Sequence, residues 1–445
     1  MAWGLVTFGL WNSCASHADS RWSDQLLARG DYPRTLAFAL AALRGAGTDD
    51  SDISRYLAYA KAVLGRPYQP FYVRPLDGWT GPQPGKTGKD PDDPLQSPPR
   101  RPARPLLPYR DFSVEYPPGF FLLALPPALL GLDLDGYRVL FSVLMGALLT
   151  GALLAAVRIG RVLRPEAPPS PVALATVLAL ALGTVSVRRF DAIVSLSLCL
   201  FLDGCLRRKP VLSGVALGLG LVTKVVPVLV VPFALVRWGT LRRWRELAGA
   251  ALMTALIGLA VAPLLLVAGE HLLDLLRYHG QRPLEVESTG AALLTIGRFF
   301  DPASAWRVEA FGCDNVVGPA DRFLIPLAGV ALLLATAGIL AWSVLQTRRA
   351  LRGGDGERLS GEVLVRAACA ILAASMTLGK VFSAQYLTWL LPAGALVSVL
   401  DTGSRRRTSV ALLGGAMLLT QLNQHLFFAM LGDGPEPLMG LLFLL

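Results

Sequence analysis

Residues 49–72 read D-D-S-D-I-S-R-Y-L-A-Y-A-K-A-V-L-G-R-P-Y-Q-P-F-Y, and residues 109–119 read Y-R-D-F-S-V-E-Y-P-P-G. Between and around them runs a long polar tract in a chain that is otherwise mostly lipid-soluble. Residues 52–64 place Ile53, Tyr56, Leu57, Ala60 and Leu64 on one face at helical spacing, which predicts a short amphipathic helix lying on a membrane. Pro67 and the Glu115-Tyr116-Pro117-Pro118-Gly119 turn impose extended or kinked backbone where no helix continues. A loop this long beside apolar spans is functional or disordered.

Composition sets the class. Of 445 residues, 53% are hydrophobic and 17% charged, and mean hydropathy is +0.49. A soluble domain of this size does not have that balance, so the chain reads as an all-α polytopic membrane protein. The net charge of +10 does not point to nucleic acid, because the arginines sit in short clusters between apolar runs, where they set membrane orientation. The five cysteines form no C-x-x-C and no zinc spacing.

Apolar runs fall near residues 137–158, 171–187, 191–206, 210–223, 225–238, 246–269, 322–347, 362–379, 383–400 and 409–431. With a degenerate span before the polar loop they predict about ten to eleven transmembrane helices, several of them short. Phe120–Leu132 is too short to cross and is expected in the interface. The resulting segments are a poorly defined N-terminal stretch, 1–48; an extracytoplasmic loop with interfacial helices, 49–136; transmembrane helices, 137–269; a second extracytoplasmic loop with a re-entrant segment, 270–321; and transmembrane helices, 322–445.

Alternate threading puts Arg158/Arg161/Arg164, Arg207/Arg208/Lys209, Arg242/Arg243/Arg245, Arg348/Arg349/Arg352 and Arg405/Arg406/Arg407 on one side, which the positive-inside rule makes cytoplasmic. The opposite face then receives Asp52, Glu115, Arg188-Arg189-Phe190-Asp191, Lys224, the Glu270–Ser288 loop and Lys380–Tyr386. Several of these have a plainer reading beside the functional one. Asp52 suits a helix N-cap as well as a general base. Glu115 serves either the loop's shape or the site, and Tyr386 and Trp389 either anchor the interface or line the site. Lys224 interrupts an uncharged stretch from Val211 to Val236 and is followed by the helix-breaking Pro227. It either snorkels to the interface or marks a site. His17, His271 and His425 have no evident partner. Asp133-Leu134-Asp135 matches a D-x-D string too short to assign a metal.

In order, the Asp52 segment, the Glu115–Gly119 turn, Arg189-Phe190-Asp191, Gly214 through Lys224 to Pro227, the Arg282–Ser288 loop and Lys380–Leu390 resemble the bacterial polyprenyl-phosphate-mannose-dependent α-mannosyltransferases. These are glycosyltransferase family 87, of the multi-span GT-C type. The resemblance implies an integral enzyme of the cell membrane, multi-pass, with its active site on the extracytoplasmic side. It implies transfer of a sugar, mannose, from a polyprenyl-phosphate donor to a lipid or glycan acceptor, with an acidic base in the first outer loop that maps onto Asp52. Two features depart from the family pattern: no clear span precedes that loop, and residues 78–104 form a long Pro-rich insertion.

The chemistry calls for the same groups. An oxocarbenium-like transition state needs a carboxylate to take the acceptor proton and cations to hold the departing phosphate. An ionised phosphate leaves without a metal, so neither metal nor cofactor is expected. Candidate substrate-binding residues are Tyr56, Glu115, Tyr116, Arg189, Asp191, Lys224, His279, Arg282, Glu287, Lys380, Gln385 and Tyr386. A transporter or flippase for a lipid-linked or amphipathic solute is the competing reading. It predicts repeated halves with charge at the midplane, and no internal repeat is present.

Overall fold

The computed structural model describes residues 51–68, 101–166, 182–183, 185–269, 271–311 and 313–430. The N-terminal stretch, most of the 78–104 insertion and most of the 171–187 run lie outside them. The described chain is mostly helical. Its helices are α1 (Ser51–Val63), α2 (Phe121–Leu129), α3 (Leu134–Leu163), α4 (Val185–Arg188), α5 (Ala192–Leu206), α6 (Pro210–Thr223), α7 (Val231–Thr240), α8 (Trp244–Leu266), α9 (His271–Gln281), α10 (Thr289–Gly297), α11 (Asp321–Arg352), α12 (Gly356–Leu378), α13 (Leu387–Leu400) and α14 (Gly403–Met430).

Among the described residues, α3, α8, α11 and α12 are long and apolar enough to cross a membrane. Several other predicted runs appear as shorter apolar helices, α5, α6, α7 and α13. Two helices display a lipid-facing exterior directly. Leu252, Leu256, Leu259 and Leu266 of α8 and Leu327, Val330, Leu333 and Leu334 of α11 are exposed, an apolar surface that water would not tolerate over such an area.

Local chemistry places the helix ends where the sequence put them. Asp133 accepts a hydrogen bond from the Gly136 N–H at 2.9 Å and caps α3, while Asp135 pairs with Arg138, so the D-x-D string starts a helix. α6 stops at Thr223 and Lys224 is extended, followed by a 3-10 turn over Val226–Val230, as Pro227 requires. Close packing of α6 on α8 depends on small residues. A Cβ on Gly214 would lie 2.3 Å from the Ala250 carbonyl oxygen, and one on Gly218 would lie 2.7 Å from Ile257, which is a G-x-x-x-G contact.

Two expectations need correction. Helix α1 does not lay its apolar face on lipid: Ile53, Tyr56, Leu57, Ala58, Tyr59, Ala60 and Ala62 are all buried, packed against α2 and α3. Its apparent polar face failed as a guide because Arg55 and Tyr59 find partners inside the protein. The 270–321 segment is also not a simple loop with a re-entrant run. It holds α9, α10 and an antiparallel sheet of order β1-β3-β2, formed by β1 (Leu284–Glu285), β2 (Trp306–Ala310) and β3 (Cys313–Val317), an exception to the all-α reading.

The helices run between two chemically distinct ends. Tyr137 and Phe141 at the start of α3 stack on one another within the aromatic core that holds Tyr56, whereas Arg158, near its other end, pairs with Asp203 of α5 at 2.8 Å. At that second end Arg164 meets Glu362, Arg208 meets Glu246, Arg243 meets Glu357, and Arg366 meets Asp401. The arginine clusters at the ends of α3, α5 and α7 thus gather at the end opposite Asp52, Asp191 and Lys224.

Candidate active site

The site is built on a nest of aromatic rings. The Tyr56 ring lies 5.1 Å from Phe120, 5.4 Å from Phe141, and 5.8 Å from both Tyr116 and Phe190. These rings bring α1, the Pro-Pro turn, α3 and the segment before α5 together, and the charged groups sit on their edge. Asp52 is ion-paired through one oxygen to Arg55, one helical turn on, and through the other to Arg189. Arg55 also reaches Glu115 at 3.1 Å, whose second oxygen accepts a hydrogen bond from the Tyr59 hydroxyl at 2.6 Å. All of these groups are largely buried. Burial works against the Arg55 charge, yet Glu115 beside it raises its pKa well above the ordinary value.

Two residues beyond Arg189, Asp191 accepts hydrogen bonds from Lys224 Nζ and Trp389 Nε1, both at 2.7 Å. Lys224 sits among three rings, 4.9 Å from Phe190, 4.9 Å from Tyr386 and 5.1 Å from Trp389, with Tyr386 and Trp389 stacked at 4.3 Å. An ammonium withdrawn from water loses several kcal/mol, and each ring returns about 0.5–2 kcal/mol. The Asp191 carboxylate supplies the remainder, which rules out the reading of Lys224 as a snorkelling side chain. Asp191 itself is held in place through α13, because Ser195 Oγ, on the next turn of α5, donates to the Thr388 carbonyl at 2.8 Å.

The second loop closes the cluster. Arg282 donates to Glu285 at 2.6 Å and lies 5.7 Å from the Tyr278 ring. Glu285 also accepts from Ser383 Oγ at 2.7 Å, and its backbone N–H donates to the Lys380 carbonyl at 3.0 Å. Strand β1 is thereby tied to the segment after α12. His279 is exposed, with its ring 5.1 Å from that of Tyr278, the ring that Arg282 also faces. Tyr278 thus joins His279 and Arg282.

Most of the residues singled out in the sequence therefore converge: Asp52, Tyr56, Glu115, Tyr116, Arg189, Asp191, Lys224, His279, Arg282 and Tyr386. Three do not play the expected part. Lys380 donates to the carbonyls of Gly280 and Arg282, both at 2.9 Å, so its ammonium clamps a loop. Burial and Arg282 also lower its pKa. Glu287 lines an apolar cavity of about 510 Å³ between α12, α13 and α14. Gln385 is half-buried in the 3-10 turn before α13.

Other members of the cluster were not anticipated. Arg55, Tyr59, Tyr278, Glu285 and Ser383 all touch it, and only the i,i+3 spacings Asp52/Arg55 and Arg282/Glu285 were visible in advance. His271 does have partners: its Nδ1 lies 3.0 Å from both Ser113 Oγ and Asp274 Oδ2, and Ser113 donates to Asp274 at 2.6 Å. One ring nitrogen meets both groups, so this is a latch between the first loop and α9 rather than a relay.

Residues 114–354 match the family model of glycosyltransferase family 87, a stretch that covers more than half of the chain. The chain belongs to glycosyltransferase family 87. No curated protein and no solved structure matches it. The family-87 stretch takes in Glu115, Arg189, Asp191, Lys224, His279 and Arg282, while Asp52 and Tyr386 join the cluster from outside it. This membrane protein is accordingly a glycosyltransferase.

Proposed function

We propose that this chain transfers a hexose, mannose, from a polyprenyl-phosphate donor to a lipid or glycan acceptor on the extracytoplasmic face of the cell membrane. The observation that carries the reading is the single buried cluster in which Arg189, paired with Asp52, and Asp191, paired with Lys224, lie within three residues of chain. A base and a set of phosphate-binding cations stand side by side.

Asp52 takes the proton of the acceptor hydroxyl as its oxygen bonds to the anomeric carbon. The bond from that carbon to the phosphate oxygen breaks, and the electron pair leaves on polyprenyl phosphate. Attack from the face opposite the phosphate inverts the anomeric centre. Lys224, Arg189 and Arg282 receive the charge, the arginines by paired hydrogen bonds and the lysine as a point charge. The leaving group is already an ionised phosphate, so this step needs no metal. Both Asp52 oxygens carry guanidinium partners in the free protein, and donor phosphate drawing Arg189 towards itself would free one for the acceptor.

Helix lengths favour a lipid donor. The 15 residues of α5 rise about 22 Å at 1.5 Å each, against a hydrocarbon core of about 30 Å. Counted from the arginine-rich end, Asp191 and Lys224 sit roughly 8 Å below the opposite membrane surface. The phosphate of a membrane-anchored donor reaches that depth more readily than a soluble nucleotide sugar does. The positive-inside rule makes the arginine-rich end cytoplasmic and the site extracytoplasmic.

The test is Asp52→Asn in purified protein supplied with radiolabelled polyprenyl-phosphate mannose and membrane acceptors. Asn is nearly isosteric and takes no proton. Turnover should fall about 100-fold or more, with donor binding kept. Near-normal turnover in Asp52→Asn, together with loss in Glu115→Gln, would move the base to Glu115.

A further inference from the structure

At the end of the bundle opposite the candidate active site, Arg237 is one of the largest fully buried side chains, at 2% exposure. It lies in the last turn of α7. Its Nη1 donates to the Cys205 carbonyl at 2.9 Å, its Nε has no hydrogen-bond partner, and it forms no ion pair among the described residues. The carboxylates around it are already engaged: Asp355 by Arg358 at 2.9 Å, Glu357 by Arg243 at 2.6 Å and Glu246 by Arg208 at 2.9 Å. A buried guanidinium without a counter-charge is costly.

Arg237 borders a cavity of about 350 Å³. Its polar wall also holds Arg358 and the engaged carboxylates Asp355 and Glu357, and its apolar wall is Val162, Leu163 and Leu206. Val162 is 40% exposed, so the apolar wall reaches the outer surface of α3. The same end of the bundle is basic, with Arg161, Arg242, Arg349 and Arg352 all exposed.

We propose that this cavity binds the headgroup of an anionic phospholipid from the leaflet at the arginine-rich end, a headgroup carrying one phosphodiester and free hydroxyls. The phosphodiester meets Arg237, the guanidinium of the wall that has no carboxylate partner, while Arg358 stays with Asp355. Asp355 and Glu357, which would repel an anion if unpaired, are neutralised by their own arginines and keep lone pairs for the hydroxyls. Val162, Leu163 and Leu206 take the start of an acyl chain. Basic pockets between membrane helices on this side hold anionic headgroups on the same physical grounds. The lipid source is favoured over a soluble phosphate because the apolar wall reaches the outer surface of α3, a helix long and apolar enough to span a membrane.

The experiment uses the full chain in phosphatidylcholine nanodiscs or detergent, with phosphatidylglycerol titrated in and bound lipid read by native mass spectrometry. Parallel arms add phosphatidylcholine, glycerol 3-phosphate and inorganic phosphate. Phosphatidylglycerol should be retained, and the other three should neither be retained nor displace it. Arg237→Met should weaken its binding about tenfold or more. Should that variant fail to fold, Val162→Trp, which fills the cavity mouth from an exposed position, should do the same. Retention equal to phosphatidylcholine, unchanged binding in either folded variant, or displacement by glycerol 3-phosphate or inorganic phosphate would overturn the assignment.

Discussion

Both ends of the bundle are built from arginine–carboxylate pairs, but the two ends use them differently. At the arginine-rich end most of the paired guanidiniums stay in contact with solvent, the Arg208 side chain 60% exposed and the Arg158 side chain 46%, while Arg243 is enclosed at 9%. At the other end the partners are enclosed, Arg282 and Glu285 at 8% and 6%, Arg55 and Asp52 at 5% and 12%. An exposed pair contributes little and is screened by salt, whereas a buried pair is costly to break because the partner left behind keeps its charge out of water. The first end is suited to setting orientation and the second to holding charge ready for a substrate. Identical pairings therefore carry opposite functional weight, and burial is what separates them.

The comparison breaks outright if the two ends do not face opposite sides of the membrane. Arg110 and Ser404 are both exposed, Arg110 in the first loop and Ser404 at the start of α14. Cysteines placed there, in a background lacking other accessible thiols, should label with a membrane-impermeant maleimide from opposite sides of sealed vesicles. Labelling of both from one side would mean that the charge alternation does not describe the topology.

The next largest effect is expected inside the site. Arg282→Met should lower stability by about 3–5 kcal/mol, because Glu285 would remain buried with only Ser383 as a partner. Donor binding should fall as well. The double variant Arg282→Met/Glu285→Gln removes both charges and should recover most of the stability without recovering donor binding. That split, read from urea denaturation beside donor titration, separates the structural role of the pair from its binding role. Recovery of both together would assign Arg282 a structural role only.

What was legible in advance follows from the range of each interaction. Helix limits were readable because a membrane span is a run of apolar residues. The break at Lys224 was readable because Pro227 acts on its own turn. Asp191 and Lys224 stood out because a charge among apolar neighbours is conspicuous, and Asp52 and Arg282 through the order of motifs that resembles the family. Partnerships were not readable. Tyr59 and Glu115 are 56 residues apart, and Trp389 and Asp191 are 198 apart. The burial of α1 was missed because amphipathic periodicity does not say whether water or protein covers the polar face. The sheet was missed because β1 is two residues long and its partner β3 lies about thirty residues on.

The smallest expected effect sharpens the comparison from the other side. Arg208 donates through Nε to Glu246 at 2.9 Å, a bond that looks as good as the one between Arg282 and Glu285. Arg208→Ala should nevertheless leave Tm and turnover indistinguishable from wild type. Glu246 keeps a second partner in Arg243 at 3.5 Å, and water replaces the guanidinium because the site is open to it. Alanine is the right replacement, since Arg208 has φ of 58° and glycine would add its own relief of left-handed backbone to the result. A clear loss of Tm in Arg208→Ala would mean that this pair, despite its exposure, carries structural weight. Exposure would then no longer be what distinguishes the two ends.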